Sequence, residues 1–424
     1  MSINGVNMPL ATLQQAHPKR VGRFLAVFGP GLVVMLADTD VGSIITAGQS
    51  GVQWGYRLLL LQLVLMPILY MVQELTVRLG IFTGRGHGEL IRETFGRFWA
   101  WVSVGGLAVA TMGALLSEFS GVAGIGELYG VSRFVTLPIA AGALLGVVVT
   151  GSYRRVERVA IALGIFEFAF FVVAWTAHPD PAALLAGAAD IPLASKDYMY
   201  LVAANIGAVI MPWMVFYQQS AIADKRLAPE HFGAARLDTA VGAVVTQLVM
   251  AAVLIACAAI IGTPDAEKSL NTIGDLAGAL TPLFGTETGR LLFSLGVVGA
   301  GMVAAIVASL ALAWGVGEVA GFKRSLELRP LQAGWFYGVY AVCVVGGAGL
   351  VAVWPNLVSL NIAVQVMNAL LLPLVLGFLI ALAARALPDK VRLRGAYLWI
   401  VCAVAGLTCA LGVFGGLSGA GLLG

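Results

Sequence analysis

The sequence predicts an all-α membrane protein with about eleven spanning helices and no soluble domain of any size. The first indication is composition: of 424 residues, 59% are hydrophobic and 11% are charged, whereas an ordinary globular domain has roughly 25% charged residues. The second is the pattern of hydropathy. Apolar runs of about 20 residues, long enough to cross the hydrocarbon core of a bilayer, recur from Phe24 to Leu417. The mean hydropathy of +0.92 makes the bilayer the main solvent of this chain.

The polar N-terminal segment, residues 1–23, lacks the apolar core of a cleavable signal peptide, so we expect it to form a cytoplasmic tail. Each apolar run after it is expected to form one helix, with ends placed to within a few residues. The connections are too short to form domains, so function is expected to reside within the helices. In chain order the predicted spans are residues 24–47, 57–79, 99–127, 134–151, 157–176, 198–222, 239–261, 289–319, 334–354, 358–384 and 395–417.

Lys and Arg collect in alternate connections, which is typical of cytoplasmic loops in membrane proteins. This alternation predicts a cytoplasmic N-terminus and an outside C-terminus, in a multi-pass protein of the cell (inner) membrane. Because the charges are dispersed, nucleic acid binding is not expected, and we expect a monomer embedded in the lipid bilayer. The cations of the tail and of the connections after spans two, four, six, eight and ten are Lys19, Arg20, Arg23, Arg85, Arg92, Arg97, Arg154, Arg155, Arg158, Lys225, Arg226, Arg236, Lys323, Arg324, Arg329, Arg385, Lys390, Arg392 and Arg394.

Spans one and six are the two with polar interruptions. Span one contains the segment 38–43, DTDVGS, and span six contains the segment 211–214, MPWM. Many transporters consist of two inverted five-helix repeats whose first helices are broken at the bilayer midplane. We therefore predict a first repeat over 24–176, a second inverted repeat over 198–384, and an eleventh helix, 395–417, outside both.

The two carboxylates of span one are the most costly residues of the chain. Asp38 and Asp40 would each cost about 2.5–3.5 kcal/mol at the bilayer centre. Gly42 can break the helix here, and the exposed carbonyls, a carboxylate and the Ser43 hydroxyl would make a cation site of hard oxygens. Either carboxylate can instead be satisfied by a neighbouring helix or be neutral. Residues i and i+2 point to different sides of an intact helix, so one carboxylate suffices as a ligand.

In span six, Pro212 removes a backbone donor and frees a carbonyl one turn earlier, near Ala208. Ala208 and Met211 stand at i and i+3, which is one face of a helix. A thioether is a soft ligand that favours Mn²⁺ or Fe²⁺ over Ca²⁺ or Mg²⁺. Plain packing is the alternative role for Met211.

Further polar residues, Glu167 among them, lie within the spans, and most of them are near span ends. Glu118 lies deep in span three, where a proton relay and a structural hydrogen bond are equal alternatives. Asn205 in span six, with Gln365 and Asn368 in span ten, can line a path. The four histidines all fall in the tail or the connections, so no imidazole is expected in the membrane. No cofactor is expected; a divalent cation would be substrate.

Several segments resemble the Nramp family of divalent-metal transporters. The segment 29–56, with GPG at its start and DVGS at 40–43, resembles the first span of that family. Segments 78–93 and 153–158 resemble the end of its second helix and its fourth-to-fifth loop, and 207–212 resembles its sixth helix. Gln365, eight residues before Pro373, resembles its tenth. The resemblance covers roughly residues 29 to 384.

The resemblance implies a LeuT-type inverted repeat that imports divalent metal ions by alternating access. It implies that Asp40, the Ala208 carbonyl and the Met211 sulfur bind the ion, with Gln365 joining on occlusion and Ser43 as a weaker oxygen ligand. Four positions depart from the family pattern. Val41 and Ser43 replace a proline and an asparagine, Trp213 replaces a histidine, and Leu115 replaces an acidic residue. The last two positions serve proton movement in the family, so we expect weak coupling to protons.

Two other functions stay open. A branch that resembles Nramp but moves Mg²⁺ also has tryptophan after the span-six proline, and it has alanine where this chain keeps Met211. An uncoupled Mg²⁺ transporter, with Asp38 enlarging an oxygen-rich site for a hydrated ion, is therefore one alternative. The other is a sodium-coupled organic-solute symporter of the same fold. The acid pair Asp38 and Asp40 disfavours it, because the pair would repel a substrate carboxylate.

Overall fold

The computed structural model describes residues 29–150, 152–261, 270, 273–280, 286–354 and 358–422, and within these ranges all regular structure is helical. Nine helical segments of the described ranges are long and apolar enough to cross a membrane, and one bent pair makes a tenth span. The remaining predicted span is the shorter apolar helix Arg133–Val149, whose 17 residues reach the lower limit for crossing. The all-α polytopic prediction is confirmed.

The spans observed follow the predicted order, and spans one and six each consist of two half-helices. Short helices His87–Phe95, Pro181–Ala189 and Ile273–Leu280 lie in connections. The spans are Pro30–Asp38 with Val41–Trp54, Leu59–Thr83, Arg97–Leu128, Arg133–Val149, Tyr153–Thr176, Lys196–Val209 with Pro212–Asp224, Phe232–Ile261, Thr286–Ala320, Gly334–Val353, Val358–Arg385 and Gly395–Gly419.

Two predicted boundaries are each wrong by seven residues. Span one continues to Trp54 instead of ending at 47, because its polar residues there are satisfied: Ser50 Oγ donates to a carbonyl of its own helix at 2.7 Å, and Gln49 Oε1 accepts from a backbone amide at 2.7 Å. Span seven begins at Phe232, seven residues before the predicted 239. The tail 1–23 and residues 24–28 lie outside the described residues.

The broken spans lie at the centre of the bundle. Span six is 94% buried over its most apolar stretch, whereas spans five and eleven are 28% and 33% buried. All but one residue of the half-helix Pro30–Asp38 is also buried. Spans one and six are therefore surrounded by the other helices, while the outer spans present apolar side chains to lipid.

Both predicted breaks are confirmed. In span one the half-helices Pro30–Asp38 and Val41–Trp54 meet at an angle of 47°, with Thr39 and Asp40 between them. In span six the chain is non-helical at residues 210–211, and Pro212 begins the second half-helix. Proline is well suited to the first helical position, because the amide there has no partner within the helix.

Four of the connections predicted to be cytoplasmic meet at one end of the bundle. They line a cavity of about 1500 Å³, which is bordered by one residue or more of each connection, including Gly86, Ser152, Arg226 and Glu327. Their shared end is what the alternating charge pattern requires. Which side of the membrane this end faces stays a prediction.

Candidate metal site

Asp40 lies at the break of span one and is fully buried. Its backbone is extended, and its carboxylate caps the half-helix Val41–Trp54 by accepting the Ser43 amide at 2.5 Å through Oδ1. The helix N-terminus stabilises the negative charge. The second oxygen, Oδ2, is buried and has no partner in the protein. Asp40 therefore presents one uncommitted carboxylate oxygen at the centre of the bundle.

A side-chain hydrogen bond joins the two breaks. The Ser43 hydroxyl donates to the Ala208 carbonyl at 3.0 Å. In an unbroken helix that carbonyl would accept the amide of the residue four positions later. That residue is Pro212, which has no N–H, so the Ala208 carbonyl is free to turn toward span one.

Met211 occupies the break of span six, fully buried, in an extended conformation. The half-helix that contains Ala208 ends at Val209. Ala208 and Met211 therefore do not share one helical face. That prediction is wrong, because no continuous helix connects the two residues. Both residues nevertheless belong to the break, one on its last helical turn and the other at the start of the next half-helix.

Span ten passes close to both breaks through Gln365. A side chain at Gly42 would collide with the Gln365 amide, and one at Gly207 would collide with the Gln365 backbone. Glycine at these two positions thus allows the close approach. Gln365 Oε1 accepts from Asn368 at 2.9 Å, while Gln365 Nε2 and Asn368 Oδ1 are buried without a partner. Gln365 also lies beside the Asp40 carboxylate.

Glu118 supports the break from span three. Its Oε2 accepts the Val41 amide at 3.1 Å, which is the first amide of the second half-helix. Its Oε1 is buried without a partner, and the carboxyl group lies beside Asp40. The structural hydrogen bond considered from the sequence is therefore present, and one oxygen remains uncommitted.

Asn205 has no uncommitted polar atom. Its amide nitrogen donates to Ser50 Oγ at 2.9 Å and to the Leu201 carbonyl at 2.7 Å, and its oxygen accepts from Gln62 at 2.6 Å. These bonds tie together spans one, two and six. We interpret Asn205 as a structural residue that holds these three spans together rather than as a residue that lines the transport path.

Asp38 has different side-chain neighbours from those of Asp40. It is 1% exposed, both its oxygens lack a partner, and Thr246 and Gln247 of span seven lie next to it. Glu167 lies in the middle of span five and is also fully enclosed. Gln247 was not among the candidate residues, although an isolated polar residue in the middle of a predicted span was an available signal.

One imidazole of a connection contacts span six. His87 lies in the connection after span two, as predicted, but its ring is completely buried against Phe216 with ring centroids 4.8 Å apart. Its Nδ1 is 2.9 Å from Gln219 Oε1. Burial lowers the pKa of His87 to about 4, so the ring is neutral at physiological pH.

In the part of the chain that the structure describes, no three His, Cys, Asp or Glu side chains converge on one point. A cation between the breaks would consequently meet no more than two such side chains, Asp40 and Glu118, and would need neutral ligands as well. The Ser43 hydroxyl and the Gln365 amide lie beside Asp40, and the Ala208 carbonyl accepts from that hydroxyl. Met211 lies in the break of span six. Oxygen ligands together with a thioether would suit a divalent ion of intermediate softness.

A family model described as "Natural resistance-associated macrophage protein-like" matches residues 31–418. The chain belongs to the Nramp family. The match extends beyond residue 384, where the resemblance seen in the sequence stops. Among its relatives, the divalent metal cation transporter MntH of Aeromonas hydrophila is 30% identical over 314 residues, covering 71% of this chain and 74% of the relative. MntH of Deinococcus radiodurans is 29% identical over 342 residues, covering 76% of each.

Solved structures agree on the fold of this Nramp-family chain. A manganese transporter of Eremococcus coleocola superposes with a TM-score of 0.73 at 20% identity, over 93% of this chain and 86% of that one. The nucleobase-cation-symport-1 family transporter Mhp1 superposes with a TM-score of 0.60 at 14% identity, over 92% and 90% of the two chains. The predicted LeuT-type fold is confirmed.

Proposed function

We propose that this Nramp-family protein imports Mn²⁺-like divalent cations across the cell membrane by alternating access. The observation that carries the proposal is the Ser43–Ala208 hydrogen bond, which holds the two helix breaks together beside the free oxygen of Asp40. The relatives described above are named as divalent metal cation transporters. The metal is cargo in this proposal, so no resident cofactor is required.

The proposed ligands are Asp40, the Ala208 carbonyl, the Met211 sulfur and Gln365, with Ser43 as a weaker oxygen. Asp40 supplies the negative charge, and its position is fixed by the Ser43 amide. The Ala208 carbonyl has a second lone pair and can bind an ion while it still accepts the Ser43 hydroxyl. Little rearrangement is needed, which keeps the cost of binding low.

Selectivity for Mn²⁺-like ions is proposed to come from two properties of the site. A thioether ligand favours transition ions over Mg²⁺ and Ca²⁺. Mg²⁺ also gives up its water reluctantly and prefers sites that leave several waters in place. Asp40 and Met211 are both 0% exposed, and such an enclosed site favours an ion that dehydrates more readily.

Weak coupling to protons is proposed because the span-six partner of the site cannot take up a proton. Trp213 is fully buried, and its indole N–H is a donor with no partner in the protein. Leu115, one turn before Glu118, is likewise fully buried and apolar. Glu118 is the acidic group left beside Asp40, and its Oε2 is engaged with the Val41 amide.

Release is proposed to occur through the cavity at the charged end of the bundle. The half-helix Pro30–Asp38 separates the site from that cavity, and its N-terminus is anchored to span seven. Asp238 accepts the amides of Gly31, Leu32 and Gly29 at 2.8, 3.2 and 3.3 Å. Movement of this half-helix away from Asp238 would open the site toward the cavity.

The test is metal uptake into proteoliposomes, with Mn²⁺ and Mg²⁺ measured in parallel, with and without a pH gradient. We expect saturable Mn²⁺ uptake that excess Mg²⁺ does not suppress and that the pH gradient changes little. Asp40→Ala should abolish it, while Asp190→Asn, which removes a surface carboxylate paired with Arg57, should not.

Undiminished Mn²⁺ uptake by Asp40→Ala would overturn the site assignment. Uptake of Mg²⁺ in preference to Mn²⁺ would replace the proposed substrate with Mg²⁺. Uptake that requires an inward proton gradient would contradict the proposal of weak coupling.

A further inference from the structure

A second group of buried polar residues lies on the opposite face of the span-one break. We call it the Asp38 cluster, and it comprises residues of spans one, five and seven that are each 0–1% exposed. The proposed transport site uses none of them. Its members are Asp38, Thr39, Glu167, Thr246 and Gln247.

Span seven brings its polar residues to this face because it runs parallel to the half-helix Pro30–Asp38. Gly242 lies against Met35, where a larger side chain would collide. One helical turn further along both segments, the hydroxyl oxygens of Thr39 and Thr246 are 2.7 Å apart. The close approach at Gly242 therefore determines the register of the two helices, and this register brings the two hydroxyls together.

Span five reaches the same level by the same arrangement. Gly164 lies against Leu36, again with no room for a larger side chain. One turn further along, Glu167 lies beside Thr39. Spans five and seven thus each approach the half-helix closely at a glycine. One helical turn after that glycine, each span has a polar side chain of the cluster.

The cluster contains an unusual number of unsatisfied polar atoms. Both carboxylate oxygens of Asp38, both of Glu167 and both amide atoms of Gln247 are buried without a hydrogen bond in the protein. Thr246 and Gln247 lie next to Asp38, and Thr39 lies next to Glu167. Buried polar groups in proteins nearly always have partners, so three side chains of one cluster with unsatisfied polar atoms indicate a ligand.

The charge of the cluster indicates the chemistry of that ligand. The described groups that act on Asp38 and Glu167 are hydroxyls, an amide and other carboxylates, with no Lys or Arg among them. Ionised carboxylates without a cationic partner are strongly unfavourable in a protein interior. The ligand should therefore be a cation that is coordinated by oxygen atoms.

We propose that the Asp38 cluster is a second binding site, which takes one dehydrated hard cation, Na⁺ or Ca²⁺, through oxygen ligands alone. The absence of sulfur and imidazole from the cluster disfavours a soft transition ion. Its enclosure disfavours Mg²⁺, which retains bound water. The cation would neutralise the face of span one that lies opposite the transported metal.

The experiment is equilibrium binding of radioactive Na⁺ and, separately, radioactive Ca²⁺ to the purified full-length protein in lipid nanodiscs. Wild-type protein and Asp40→Ala should both bind one of the two ions. Glu167→Gln and Gln247→Leu should each bind it roughly tenfold more weakly or worse, because the number and charge of the ligands set affinity. The ion that binds identifies which of the two cations the site takes.

Glu318→Gln is the matched control, since it removes a buried carboxylate that accepts from Gly88 and Ser220 far from the cluster. It should bind the ion as wild type does. A cooperative thermal unfolding transition in Glu167→Gln and Gln247→Leu would verify their fold.

Failure of wild type to bind either ion, or wild-type affinity in both Glu167→Gln and Gln247→Leu, would overturn the proposal. Because the assay includes Asp40→Ala, its result does not depend on whether the protein transports Mn²⁺.

Discussion

The two faces of the span-one break differ in the number of hydrogen bonds that the protein makes to their carboxylates. On one face, Asp40 accepts a backbone amide, and Ser43 ties it to the second broken helix. On the other face, Asp38 and Glu167 have no hydrogen bonds in the protein at all. Acidic residues this close in sequence can therefore serve different ligands. A carboxylate positioned by a backbone amide, with a thioether in the other helix break, suits a transition ion, whereas free carboxylates among hydroxyls suit a hard cation.

The largest expected effect separates the two faces directly. Asp40→Asn should weaken Mn²⁺ binding and uptake about a hundredfold or more, roughly 3 kcal/mol, because it removes the charged ligand. Asp38→Asn should leave Mn²⁺ affinity near the wild-type value, because Asp38 faces span seven. Calorimetric titration with Mn²⁺ on both variants checks this. Equal losses in the two variants would mean that the faces form a single site.

The second prediction tests whether the sulfur of Met211 distinguishes the Asp40 face from the Asp38 face. Met211→Leu keeps a buried apolar side chain of similar volume but removes the sulfur, so Mn²⁺ affinity should fall about tenfold while inhibition of uptake by Ca²⁺ and Mg²⁺ increases. Met214→Leu, at another fully buried methionine of span six, is the control. Competition assays measure both. Identical selectivity in the two variants would assign Met211 to packing.

A smaller effect tests the link between the two breaks. Ser43→Ala removes the hydroxyl that donates to Ala208 and should raise the KM for Mn²⁺ roughly threefold, since one such bond contributes about 0.5–1.5 kcal/mol. Thr46→Ala, which loses a hydroxyl that donates to a carbonyl of the same half-helix, is the comparison. A KM that is unchanged in Ser43→Ala, or raised equally in Thr46→Ala, would contradict the role of this bond.

The smallest effect on transport is expected at His87, away from both faces. Burial lowers its pKa from 6.5 to about 4, so between these values the unfolded chain binds a proton that the folded chain does not. Stability should therefore fall as pH drops through this window, by up to about 3 kcal/mol. His87→Gln should flatten the dependence of Tm on pH between 7 and 4.5 while uptake at pH 7 changes little. A slope equal to that of wild type would exclude His87 as its source.

The sequence was sufficient to predict the features of the fold that carry a large local cost. Carboxylates inside apolar runs and a proline within span six located both breaks, and Lys and Arg located the connections that meet at one end. The helix ends at Trp54 and Phe232 were mispredicted. Polar residues near these ends form hydrogen bonds with neighbouring groups in the fold, but in the sequence alone they resemble residues of a loop.

The site was predictable in part, and the missing part depends on contacts between distant segments. Asp40, Ser43, Ala208 and Gln365 are close together in the structure, whereas Asn205 is fully engaged elsewhere. The Asp38 cluster was not predictable, because its residues meet only through the register of three helices. Motif spacing contains no information on that register.

The most direct test of the metal site is X-ray absorption spectroscopy of the purified protein loaded with Mn²⁺. The proposed ligand set predicts a sulfur scatterer together with oxygens in the first coordination shell of wild type, and loss of that sulfur in Met211→Leu. A shell of light atoms alone in wild type, indistinguishable from that of Met211→Leu, would contradict the site formed by the two helix breaks.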